Sequence, residues 1–196
     1  MDWLKNFQET LRHESVGPII RRFFINTLFD STFMLLGIIV GSAFAGAAIG
    51  LNVIILTMLT TSLALGISTG VSVYEAESLE QERKIADLEK ALFTDLKDTS
   101  IQKTSKKTII IVTLINFATP LFSCTLTITP FVLVAIGILS LDMAGWISVV
   151  LALSTLFGAG VYMGRIGKTN PYKKGLRMVA FGVLAFVIGF LLNLLI

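Results

Sequence analysis

The chain has 196 residues, 54% of them hydrophobic and only 15% charged, well below the quarter that is usual in soluble domains. A mean hydropathy of +0.82 describes one membrane domain and leaves no room for a separate soluble domain of ordinary size. The lone cysteine, Cys124, excludes an intrachain disulfide and a CxxC metal or redox site, and the net charge of +3 matters through its distribution rather than its sum.

At the N-terminus, MDWLKNFQETLRHESVG has no apolar core long enough for a cleaved signal peptide. Trp3, Leu4, Phe7 and Leu11 recur at helical spacing, with Lys5, Glu9 and Arg12 elsewhere. That spacing predicts an amphipathic helix lying on the membrane surface over residues 1–19. His13 falls in this segment and is expected to be solvated. Transmembrane helices one and two follow within 20–73, at about 20–45 and 50–73. Residues 74–107 are too charged to cross and form a cytoplasmic acidic insert. Three further spans occupy 108–196, at about 107–127 (or on to 139), 145–164 and 176–196. Pro120 and Pro130 are expected to break or kink the third. The fold class is therefore all-α, with five transmembrane helices and a cytoplasmic helical extension between spans two and three.

All 16 basic residues fall in three segments: before the first span, between spans two and three, and between spans four and five. Five spans put these segments on one side. The positive-inside rule then places the N-terminus and both long loops in the cytoplasm, and the C-terminus on the opposite side. Within the insert, EAESLEQERKIADLEKALFTDLKD has no proline or glycine, and Leu88, Leu92 and Leu96 fall four residues apart. This predicts a helix that continues span two.

Between Phe23 and Tyr74 the only charged residue is Asp30. A carboxylate at that depth costs a few kcal/mol or more and marks a functional site by default. Asn26 and Met34 stand one helical turn either side of it. An amide oxygen, a carboxylate and a thioether together suit a transition metal of intermediate softness. The plainer alternatives are that Asp30 pairs with a lysine or caps a broken helix, and that Met34 fills space. One carboxylate cannot neutralise a divalent cation, whereas two across a dimer axis can. Gly37, Gly41, Ala43, Ala45 and Gly46 would let a second copy of span one approach closely, or serve packing within the chain.

The insert carries eight carboxylates. Glu75, Glu82 and Glu89 repeat every seven residues, and Glu77–Glu80 and Asp95–Asp98 are spaced by three. Clustered carboxylates bind divalent ions, but such runs are more often solvated faces laced with pairs such as Glu80–Lys84. Hydroxyl residues of spans two and three, such as Ser62, Thr69, Ser123 and Thr127, either line a hydrated path or join helices. The sequence holds no nucleophile–base pair, P-loop or dinucleotide fingerprint, so neither an enzyme nor a bound cofactor is expected. Topology explains the basic loops without nucleic acid. An organic-cation carrier is disfavoured because no aromatic cage is evident in the spans.

With these features in place, the chain resembles the vacuolar iron transporter family, five-span carriers of ferrous and manganous ions. NTLFDSTFMLLGIIVG is similar to its first-span signature and SLALGISTGVSVYEAE to its second-span motif. INFATPLFSCTLTITPFVL is similar to its proline-marked third span, and the tail from Leu156 to its closing pair. The resemblance implies a homodimer with the ion path between subunits, exchange of metal for protons, and a cytoplasmic metal-collecting helical domain. Asp30 matches the first-span aspartate implicated in translocation. Asp87, Asp95 and Asp98 approximate the spacing of the family's acidic metal ligands. The chain departs from the family at Leu63, where methionine is usual, at Ile67–Ser68, and near Ile55, where a span-two glutamate is expected. Met34 is then the candidate thioether. The expectation is a homodimeric iron(II) or manganese(II) carrier exporting metal from the cytoplasm in exchange for protons. A non-transporting protein of the same fold, acting as a metal sensor or partner-docking element, is the alternative.

Overall fold

The computed structural model describes residues 16–44, 50–96 and 99–195. Residues 1–15, where most of the expected amphipathic helix falls, lie outside the described residues, as do Ala45, Gly46 and Asp98. The described chain is all-helical. Its five helices are α1 (Val16–Ala43), α2 (Leu51–Leu92), α3 (Ser100–Ala135), α4 (Leu141–Ile166) and α5 (Pro171–Leu195). Each is long and apolar enough to cross a membrane, so the protein is a multi-pass membrane protein.

α2 is 42 residues long, about 63 Å at 1.5 Å per residue, against the roughly 30 Å of a bilayer's hydrocarbon core. Its first half is apolar and its second half carries the acidic run, joined without a break. It stops at Leu92, somewhat less than two turns before the expected end of the insert helix. Phe93 follows Leu92 with φ of 52°, the left-handed conformation that ends helices, and is almost fully exposed. α3 keeps Pro120 and Pro130 inside a continuous helix. Pro120 cannot donate to the carbonyl of Asn116, and that carbonyl instead accepts from Thr69 Oγ1 at 3.4 Å.

The chain divides into two compact units. The first joins the chain up to Asn26 with Gly66–Ala118. Here α2 and α3 approach closely at Gly66, where an added Cβ would stand 2.7 Å from the Phe117 carbonyl oxygen. Ser105 Oγ donates to Gln81 Oε1 at 3.1 Å further along the pair. Val73, Ile109 and Val112 are buried.

The second unit joins Thr27–Leu65 with Thr119–Ile196. Its core includes Leu35, Leu36, Ile39, Met58, Phe131 and Leu156. Ser140 caps α4 by accepting from Met143 N, with Asp142 in the first turn and Arg165 in the last. Asn170 Oδ1 accepts from Tyr172 N and Lys173 N, and Pro171 opens α5, where its missing N–H costs nothing. α4 and α5 then run in close contact because glycines meet. A Cβ on Gly160 would fall 2.7 Å from Gly175 Cα, and one on Gly164 would fall 2.4 Å from Pro171 Cα. At the far end Phe44, Trp146, Phe186 and Phe190 form an aromatic cluster, with Phe44 and Trp146 edge-on at 4.9 Å.

Candidate functional site

α1 positions Asp30 through its neighbours. Leu28, Ser31 and Thr32 are buried, and the hydroxyls of Ser31 and Thr32 both donate to the Leu28 carbonyl, at 3.0 and 2.7 Å. Ser31 Oγ also donates to Ser123 Oγ at 3.0 Å, tying α1 to α3. With that side of the helix fixed inward, Asp30 is turned outward and is exposed. Asp30 lies among the residues that line a shallow, open, largely apolar groove of about 480 Å³. Phe29 and Phe33 of α1 and Met178, Phe181, Leu184 and Ile188 of α5 line the rest. Among the described residues, no ion pair or hydrogen bond reaches the Asp30 side chain.

Asn26 is also exposed and Met34 half-buried. Further along α1, Gly37 and Gly41 are exposed, and an added Cβ at either would meet nothing within 4 Å. Among the described residues these two glycines pack against nothing. Ala43 does: it is buried, and an added Cβ on Gly145 would lie 3.2 Å from its own.

The residues picked out in the insert separate. Glu75, Glu82, Asp87 and Asp95 are exposed. Glu89 is half-buried, and its Oε1 accepts from Leu96 N at 2.9 Å, closing the turn after α2. Glu80 pairs with Lys84 at 3.3 Å, both about half exposed, as spacing predicted. Glu82 lines a cleft of about 500 Å³ between α2 and α3, with Tyr74, Gln81, Gln102 and Lys106 among its other walls. Among the described residues, no group of three or more His, Cys, Asp or Glu side chains is arranged to hold a metal ion.

Glu77 escaped the sequence reading, which saw only its spacing to Glu80. It is 4% exposed, and its Oε2 is buried with no hydrogen-bond partner among the described residues. The signal was its position one turn beyond buried Val73. The hydroxyls of spans two and three mostly serve structure. Thr127 Oγ1 donates back to the Ser123 carbonyl at 3.0 Å, and Ser148 Oγ donates to the Thr127 carbonyl at 2.8 Å. Ser62 Oγ is buried, facing the Cys124 thiol.

No family model matches the chain. It is similar to an uncharacterized protein of Methanocaldococcus jannaschii, with 29% identity over 188 residues. The alignment covers 94% of this chain and 92% of that relative.

Proposed function

We propose that the protein is a homodimeric carrier of a divalent transition metal, iron(II) or manganese(II), which exports the ion from the cytoplasm in exchange for protons. The observation that carries this reading is Asp30. It is a carboxylate in an apolar span, turned outward and without a partner among the described residues. A charge cannot rest against hydrocarbon uncompensated. A second copy covering this face of α1 would bring a second Asp30 to the same ion, and Gly37 and Gly41 leave the space for close approach. Among the described residues no three-ligand group stands within one chain, which fits a site completed by two. Protons and metal compete for the same carboxylate oxygens, which is enough to couple their fluxes.

The resemblance to vacuolar iron transporters supports the same substrate class. In this reading the acidic half of α2 extends into the cytoplasm beside the two other basic segments and gathers the ion. Glu75, Glu82, Asp87 and Asp95 are open to it. Leu63, at the position where the family carries methionine, is exposed on α2, so sulfur would come from Met34 or from Met178, which lines the Asp30 groove.

The test is metal uptake by the purified protein in vesicles across a pH gradient. Asp30→Asn should lower flux about a hundredfold, the equivalent of roughly 3 kcal/mol for unpairing a buried charge. Undiminished flux in that variant would remove Asp30 from the path. Tight metal binding by the intact chain without any flux would instead favour a sensor.

A further inference from the structure

We infer that the turn between α4 and α5 binds the headgroup of an anionic phospholipid of the surrounding bilayer. The distribution of charge singles this turn out. Residues 74–107 hold seven basic side chains against eight acidic ones, and residues 1–22 hold four against three. Arg165, Lys168, Lys173, Lys174 and Arg177 have none to offset them, because no acidic residue follows Asp142. The chain's net charge of +3 therefore originates in residues 165–177. The inference stands apart from the carrier reading, since it uses neither Asp30 nor the carboxylates of α2.

The fold gathers these cations and leaves them unanswered. α4 and α5 close directly on one another, since an added Cβ on Gly164 would stand 2.4 Å from Pro171 Cα. Only residues 167–170 connect the two helices. Lys174 reaches back over this connection: an added Cβ on Gly167 would stand 3.1 Å from its Nζ. Lys168 belongs to the turn itself, in the left-handed conformation with φ of 50°. Arg165, Lys168, Lys173 and Arg177 are exposed, and none of the five cations forms an ion pair among the described residues. Like charges held this close repel one another, and an anion shared among them relieves that repulsion. A phosphodiester accepts charge-assisted hydrogen bonds from several such donors at once. The place of the turn names the source. Both helices leaving it are long and apolar enough to cross a membrane, so it lies at the membrane–water boundary, the depth of lipid phosphates. Tyr162 and Tyr172 are exposed close by in sequence, as aromatic residues are at that boundary. The Arg177 guanidinium lies 5.8 Å from the Phe181 ring centroid, where the apolar run of α5 begins.

The test offers delipidated full-length protein equal amounts of phosphatidylglycerol and phosphatidylcholine with matched chains, and native mass spectrometry counts the lipids retained. Phosphatidylglycerol should be preferred about tenfold, and added sodium chloride should reduce the preference. Lys173→Gln should lower it about fivefold, the equivalent of one charge near an anionic surface, while Lys173→Arg should keep it. Lys106→Gln, which removes a charge from the first turns of α3, should leave it unchanged. Equal retention of the two lipids overturns the proposal, and so does a loss that follows Lys106→Gln and not Lys173→Gln. Displacement by inorganic phosphate beyond that by sodium chloride at equal ionic strength overturns it in favour of a soluble anion. Lipid retention is read without metal or flux, so neither outcome bears on Asp30.

Discussion

Glycines serve opposite purposes in two parts of the second unit. Along α4 and α5, Gly160, Gly164 and Gly175 are buried, and each stands where a Cβ would strike atoms at 2.4–2.9 Å. Along α1, Gly37 and Gly41 are exposed and meet nothing among the described residues. The first set is used up by the fold of one chain. The second presents a smooth strip of backbone on the same helix as Asp30, and in lipid such strips are where helices of different chains approach. Small residues alone do not tell these roles apart; the presence or absence of a neighbour does.

Substitutions test that contrast directly. The largest stability loss is expected from Gly160→Leu. A side chain there must displace the backbone of Gly175 rather than a flexible tip, so a cost of about 3 kcal/mol is expected from overpacking, read as a lower unfolding midpoint in detergent. Replacing Gly37 and Gly41 with leucine should behave differently. Unfolding of the single chain should stay within about 1 kcal/mol of the parent, while cross-linking between copies through α1 is lost. If the leucine pair unfolds the chain as readily as Gly160→Leu, the two sets do the same work and the contrast fails. Ser31→Ala removes the α1–α3 hydroxyl pair and should cost about 0.6 kcal/mol, the average for such bonds in membranes. Smallest of all is Glu80→Ala. It breaks an exposed pair worth about 0.3–0.5 kcal/mol, and a denaturation series should show the difference vanish at high salt.

Long apolar runs made the helices easy to place, since in lipid a spanning segment has few alternatives to the helix. The continuity of α2 was equally legible, because nothing from Val71 to Leu92 interrupts a helix. The third span was harder. Its prolines suggested a break, yet Thr69, distant in sequence, satisfies the carbonyl that Pro120 leaves open; only tertiary structure supplies such a donor. For the site, the isolation of Asp30 could be read from composition, and its outward direction could not. That direction is set by which neighbours are buried, namely Leu28, Ser31 and Thr32. The groove was wholly hidden, because α5 contributes most of it. Glu77 was obscured for a related reason. A carboxylate in an acidic run looks solvated until another helix covers it.

Glu89 does a different job from the open carboxylates of the same helix. Its Oε1 holds the backbone N–H of Leu96, so Glu89→Ala would unlatch the turn between α2 and α3 and leave a backbone donor without its acceptor, whereas the exposed Glu75 and Glu82 can be truncated without touching that connection.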